Sequence, residues 1–267
     1  MSSTQKYALI TGATSGIGFE LAKIFAKEKY NLILVARNEQ ELNNCSNELK
    51  QSGIDVITIS KDLFKREEAF AVYDEVKSRG LQVDVLVNDA GQGYYGQFKD
   101  TDIERELDMV QLNIGSLIIL TKCFLKDMVA RNEGKILQLG SIASQTPGPW
   151  QSVYHGTKAF VLSFSEAIRE ELKGTNVTVT VLQPGATDTD FFNKAEMQDS
   201  KIVQDKSSLS DAAEVAQDGF DALMAGDDKV ISGFKNKAMI AMSNVTPEST
   251  VAHMMNEMQK PVDKKDE

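Results

Sequence analysis

The sequence predicts an α/β protein: one domain built on a doubly wound parallel sheet of about seven strands, with helices on both faces. Two observations carry this reading. Short runs of Val, Ile and Leu alternate with longer segments of helical period along most of the chain. The runs show little polar alternation, as strands buried on both faces do. In addition, the first run leads straight into a glycine-rich turn and an apolar helix, the junction at which such sheets bind anions.

In chain order, strands are predicted at 7–11, 31–36, 56–60, 83–88, 135–139, 177–182 and 229–232. Helices are predicted between them at 17–28, 39–51, 65–79, 102–131, 153–173 and 211–225. Gly53, Gly80, Gly134 and Gly174 stand where four of these helices should end, as C-terminal caps. The polar stretch 188–209 breaks the alternation and reads as a lid, a binding loop or a disordered segment. Residues 1–235 are expected to form the α/β domain, 236–260 a helical extension packed on it, and 261–267 a frayed tail.

The 267 residues are 42% hydrophobic and 25% charged, a balance that leaves room for a core and a pocket. Basic residues number 29 against 39 acidic ones, a formal net charge of -10. No basic cluster appears outside the tail, which disfavours nucleic acid and anionic membrane as partners. No uninterrupted apolar run approaches the ~20 residues of a membrane span, and the polar stretch 1–6 lacks a signal-like apolar segment. Cys45 and Cys123 read as reduced thiols, and with only His155 and His253 beside them no metal site is expected. A cytoplasmic protein is expected.

The first strand runs into Thr11-Gly12-Ala13-Thr14-Ser15-Gly16-Ile17-Gly18. Backbone N–H groups of such a turn, with the dipole of the following helix, point at a phosphate. The spacing Gly-x3-Gly-x-Gly differs from the general Gly-x-Gly-x2-Gly of Rossmann sheets. It resembles the Thr-Gly-x3-Gly-x-Gly of the short-chain dehydrogenase/reductase family. The resemblance extends over about residues 5–235. It implies a dinucleotide held by Gly12, Thr14, Ser15, Gly16, Ile17 and Gly18.

The second strand ends Leu34-Val35-Ala36-Arg37-Asn38. An acidic residue there would take the ribose 2′-OH of NAD, whereas a cation accommodates a 2′-phosphate. Arg37 is that cation, so NADP(H) is expected rather than NAD(H). Thr14 and Ser15 bring no second cation to the loop. Asp62 and Leu63 match the family's adenine-contacting pair. Asn88-Asp89-Ala90-Gly91 resembles its Asn-Asn-Ala-Gly motif, which implies that Asn88, Ala90 and Gly91 border the cofactor. Asp89 replaces the second Asn, and its carboxylate either disturbs hydrogen bonds at the end of the sheet or faces water.

Tyr154 and Lys158 are four residues apart and share a helix face. A free phenol has a pKa of ~10 and is a poor base, but a neighbouring ammonium favours the phenolate. Tyr154 could then exchange a proton with an alcohol or a developing alkoxide. Ser141 lies thirteen residues earlier, the family's spacing for its substrate-binding Ser, with Ser144 as competitor. Asn113 matches the family's helix Asn, which by resemblance holds a water in a proton relay to Lys158. Read from the residues alone, it is a buried Asn bonded to backbone. Pro184-Gly185-Ala186-Thr187-Asp188-Thr189 resembles the motif that contacts the nicotinamide carboxamide, through Thr189 or Thr187. Tyr154 and Lys158 also border the cofactor by that resemblance.

Tyr94, Tyr95, Trp150, Phe191 and Phe192 lie on loops leaving the C-terminal ends of strands, which suggests an apolar carbonyl or alcohol substrate. Met239, Met242, Met254, Met255 and Met258 read as core or subunit packing, or as a cover on the pocket. The resemblance implies a homodimer or homotetramer. The function expected is NADP(H)-dependent interconversion of a carbonyl and a secondary alcohol. The rivals are a non-catalytic dinucleotide sensor on the same fold and an epimerase or dehydratase of the family's extended branch.

Overall fold

The computed structural model describes residues 6–262. In chain order the elements are β1 (Tyr7–Thr11), α1 (Gly16–Lys27), β2 (Asn31–Ala36), α2 (Glu39–Leu49), β3 (Val56–Ser60), α3 (Arg66–Ser78) and β4 (Val85–Asn88). Next come α4 (Ile103–Val110), α5 (Leu117–Arg131), β5 (Gly134–Leu139), α6 (Ser152–Glu171) and β6 (Val177–Gln183). The chain continues through α7 (Phe191–Lys194), α8 (Lys201–Gln204), α9 (Ala212–Ala225), β7 (Lys229–Ile231), α10 (Phe234–Ser243) and α11 (Glu248–Gln259). The seven strands form one parallel sheet in the order β3-β2-β1-β4-β5-β6-β7.

Alternate side chains of each strand enter opposite layers. Ala8, Ile10, Leu32 and Leu34 pack with Leu21 and Phe25 of α1, Leu42 of α2 and Phe220 of α9. Leu9, Ile33, Leu86 and Ile136 pack on the other face with Val72 of α3, Phe124 of α5 and Ile168 of α6. Phe25 is fully buried, edge-on to Tyr30 at 5.2 Å and to Phe220 at 5.0 Å. Emptying such a position costs about 3–5 kcal/mol.

Helix starts follow side-chain capping. Asn38 Oδ1 accepts from the N–H groups of Gln40 and Glu41, Asp102 from Glu104 and Arg105, and Asp211 from Ala213 and Glu214. Helix ends hold one correction. Gly134 does not cap α5 but opens β5, where a Cβ would lie 2.4 Å from Met128. The cap is Asn132, at φ +55°, a residue type that tolerates the left-handed region. The predicted helix 102–131 is also not uniform: a π-helical turn, Gln111–Ser116, separates α4 from α5. The stretch Ile103–Arg131 is long and apolar enough to cross a membrane, yet Leu112, Leu120, Phe124 and Met128 are buried against the sheet.

The polar stretch 188–209 folds over the C-terminal end of the sheet as α7 and α8. Phe192, Ala195 and Met197 form a small cluster there with Tyr95, Phe191 and Ile202. Beyond the sheet, α11 lies against this region. Of the five methionines singled out above, Met255 is buried, whereas Met242, Met254 and Met258 are exposed. Val262 N–H donates to Asp199 O at 2.8 Å, and 263–267, most of the predicted tail, fall outside the described residues.

After β3 the chain crosses to the other side of β1 to form β4, so β1 pairs with both β2 and β4. This reversal opens a crevice at the C-terminal ends of β1 and β4. The turns after those two strands therefore lie side by side.

Candidate active site

A cleft of about 860 Å³ occupies this crevice. One end is the glycine turn. Gly12 and Gly16 take φ of +71° and +55°, conformations that suit glycine. A Cβ on Gly12 would stand 3.0 Å from the Ala90 backbone, and one on Gly16 would stand 3.0 Å from Thr189 Cγ2. Glycine at both positions thus lets the turn pack closely against the 89–91 turn and Thr189, with the start of α1, where backbone N–H groups suit an anion, at the cleft. Gly12, Thr14, Ser15, Gly16, Ile17, Ala90 and Gly91 line the cleft, as do Pro184, Gly185, Thr187 and Thr189.

Three residues read as cofactor-binding do not line the cleft. Gly18 is packed under the turn, where a Cβ would meet Gly12 O at 2.6 Å. Asn88 is buried and donates to Thr121 Oγ1 at 3.1 Å and to Gln138 Oε1 at 3.0 Å, tying β4 to β5 and α5. Asp62 turns its carboxylate to the Phe64 N–H at 3.3 Å, while its neighbour Leu63 does line the cleft.

At the far end Arg37 lies over the Phe64 ring, 4.8 Å from its centroid. A second cation, Lys61, lines the same end, paired with Glu68 at 3.1 Å. Sequence reasoning missed Lys61 because it sits on a different strand end. The register Ala36↔Ser60 makes Arg37 and Lys61 neighbours, and that follows only once β2 and β3 are known to be adjacent. The residues present fit a dinucleotide, with a glycine cradle at one end and two cations at the other.

Tyr154, Lys158 and Ser141 meet on the floor of the cleft. Lys158 Nζ donates to Leu139 O at 2.7 Å and stands 5.8 Å from the centre of the Tyr154 ring. Desolvation brings its ammonium down to about 8, and Asp89 opposes that. Ser141 is the hydrogen-bonding partner of the Tyr154 phenol. Its hydroxyl also donates to Pro184 O at 3.3 Å and accepts from Ala143 N–H at 3.1 Å. Ser144 does not line the cleft, and its hydroxyl accepts the Ser141 N–H.

The phenol departs from expectation. Desolvation pushes Tyr154 up to about 12, and only Ser141 lowers it. Lys158 is bound to the Leu139 carbonyl and itself desolvated, so its charge does not bring the phenol down.

Asn113 lies in the π-helical turn, not on the cleft. Its Oδ1 accepts from Gln92 N–H at 2.9 Å, and its Nδ2 donates to Gln92 O and to Thr157 Oγ1. The side chain holds the 89–92 turn against α6 and has no hydrogen-bonding capacity left for a relay except the second lone pair of Oδ1. Asp89 is half-buried at the edge of the cleft. Its Oδ1 is shut off from solvent without a partner, and desolvation pushes the carboxyl up to about 7.

Beyond Tyr154 the lining is mixed but rich in apolar groups: Phe191, Phe192, Met197, Ile202 and Met255 stand there, with Gln92, Gln151, His155, Asp190, Lys194 and Gln259 also lining the cleft. The Phe191 ring lies 5.3 Å from that of Tyr154. Tyr94, Tyr95 and Trp150 serve elsewhere. Tyr95 stacks on Trp150 at 5.7 Å. Trp150 Nε1 donates to Asn256 and Tyr95 OH donates to Gln259 O, so both hold α11 down. Tyr94 carries Arg105 on its face at 3.9 Å.

Such a cleft, at the reversal of a doubly wound sheet and floored by this Tyr–Lys–Ser group, places the protein among nucleotide-binding oxidoreductases. The chain belongs to the short chain dehydrogenase family, whose profile matches residues 6–200. It is 34% identical over 223 residues to the mouse (Mus musculus) dehydrogenase/reductase SDR family member 7B, covering 80% of this chain and 69% of that protein. It is 38% identical over 178 residues to a very-long-chain 3-oxoacyl-CoA reductase of Laccaria bicolor, covering 65% of this chain but about half, 52%, of that protein. In fold it is similar to a short-chain dehydrogenase from Sphingobium yanoikuyae solved with NADPH, with a TM-score of 0.80 and 24% identity over 98% of this chain and 99% of that one.

Proposed function

We propose that the protein is an NADP(H)-dependent oxidoreductase that interconverts an apolar carbonyl compound and its secondary alcohol. The observation that carries this reading is the meeting of Tyr154, Ser141 and Lys158 on the floor of a cleft whose far end holds Arg37 and Lys61. A bound dinucleotide would supply the hydride and, when oxidised, a positive ring. At neutral pH Tyr154 keeps its proton and gives it to the carbonyl oxygen as that oxygen gains charge. Ser141 holds the same oxygen by hydrogen bonding. Lys158 spends one N–H on Leu139 O and keeps two donors for ribose hydroxyls. Asn113 fixes the turn that carries Gly91. The apolar wall from Phe191 to Met255 supports the substrate class, and so does the fungal relative, whose name describes a carbonyl on a long acyl chain.

The test is NADPH oxidation against a panel of apolar ketones and aldehydes, with Tyr154→Phe alongside. The variant is expected to lose about 10²–10⁴-fold in kcat with NADPH affinity unchanged. Turnover that survives in Tyr154→Phe would remove the phenol from the reaction.

A further inference from the structure

Asp89 ends the β4 side of the crevice, directly under the glycine turn. Its N–H donates to Thr11 Oγ1 at 3.1 Å, which fixes it against β1. A Cβ on Gly12 would stand 2.9 Å from its Oδ2, and one on Gly18 would stand 2.5 Å from it. The carboxylate accepts the Gly18 N–H, a donor in the first turn of α1. Oδ1 has neither solvent nor a hydrogen-bond partner. The charged group facing Asp89 is Lys158 of α6. From β1 and α1 it meets Thr11, Gly12 and Gly18, which carry no charge.

We propose that the Asp89 carboxylate, beneath the glycine turn, repels the diphosphate of a dinucleotide at the N-terminus of α1, so that its ionisation weakens dinucleotide binding. This rests on the reading that a dinucleotide occupies the cleft. Ionised, Asp89 sets a negative charge beneath the anion site. Protonated, it removes that charge. Desolvation pushes it up to about 7, so the change falls within the working range of pH. A bound diphosphate holds the Asp89 proton more firmly, and binding near pH 7 therefore takes up a proton. The Kd rises with pH, tenfold for each unit by which the bound anion raises the carboxyl.

The probe is NADH, whose diphosphate keeps its charge between pH 6 and 9, unlike a phosphate monoester. Energy transfer from Trp150, the single tryptophan, reads binding. The unaltered chain is expected to lose about tenfold in affinity across that range, and Asp89→Asn to bind with a pH-independent Kd. Lys158 also lies near the window, at about 8, so Lys158→Arg is included and should keep the rise. A flat Kd in the unaltered chain, or a rise that persists in Asp89→Asn, overturns the proposal. If NADH and NADPH both fail to bind, the dinucleotide reading falls with it. Calorimetric titration of the unaltered chain in two buffers of different ionisation heat reads proton uptake without any variant. Zero uptake at pH 7 also overturns the proposal.

Discussion

His155 and Gln259 meet through ring and amide nitrogens 3.1 Å apart. The contact has one consistent protonation. Thr146 O lies 2.7 Å from His155 Nδ1, so Nδ1 bears the hydrogen and Nε2 accepts from the Gln259 amide. Burial holds the imidazole below its usual range. The unfolded chain then takes up a proton near pH ~6.5, before the folded one does. Stability is full above that pH and falls as pH drops below it, by up to about 1.4 kcal/mol for each unit of depression. Thermal unfolding between pH 8 and 5, with the imidazole C–H resonance followed by NMR, checks this. A His155 titration at the ordinary value would refute it.

Under the proposed function Tyr154 is expected to set the pH dependence of turnover. Its phenol stays protonated across neutral pH, the form that carbonyl reduction requires. Reduction is expected to be flat from pH 6 to 8, whereas alcohol oxidation should rise about tenfold per unit until the phenol of the complex titrates. Rate profiles in both directions at saturating cofactor measure this. Oxidation independent of pH would contradict it.

Arg37 should discriminate between cofactors. A charged hydrogen bond to phosphate contributes about 1.5–3 kcal/mol, so Arg37→Ala should weaken NADPH binding by roughly 10–150-fold and leave NADH unchanged. Lys61→Ala should act in the same direction with a smaller effect, since Lys61 is shared with Glu68. Equal losses for both nucleotides would place the two cations away from the 2′-phosphate.

Phe191 and Gly93 are expected to shape the substrate side of the cleft. A Cβ on Gly93 would lie 2.6 Å from Phe191 Cζ, so Gly93→Ala must displace the ring that borders Tyr154. KM for bulky ketones should change several-fold while the Kd for NADPH holds. If the Kd moves as well, the two ends of the cleft are not independent.

Asn88 should behave as a structural residue. Asn88→Ala strips the Gln138 and Thr121 side chains of a shared partner and should cost about 1–3 kcal/mol. Tm should fall by several degrees, at about 2–4 °C per kcal/mol, with little change in NADPH affinity. A large loss of affinity at unchanged Tm would return Asn88 to the cofactor site.

The strands were legible because a sheet covered on both faces needs unbroken apolar runs, and 31–36 and 56–60 are observed as read. Local motifs carried the glycine turn, Tyr154, Lys158 and Ser141 to one cleft. Less local features were not legible. Nothing along the chain says that Lys61 stands beside Arg37, that Met255 reaches the pocket from the last helix, or that Trp150 turns away from it to hold Asn256. These depend on strand order and on helix docking. The level of the Tyr154 phenol was misjudged for a similar reason. Helical spacing shows that Lys158 is near, but not that Leu139 O occupies it and that the pair is desolvated.

The walls of the cleft come from widely separated parts of the chain, and this bears on the order in which they exist. Gly12 to Gly91 supply the glycine-turn side of the cleft by the end of β4, Tyr154 to Thr189 join it later, and Met255 and Gln259 line the cleft from α11. A chain emerging from the ribosome builds from its N-terminus. The glycine-turn side can therefore assemble before its opposite wall exists, and α11, the last helix among the described residues, adds that wall to a cleft that stays open to solvent.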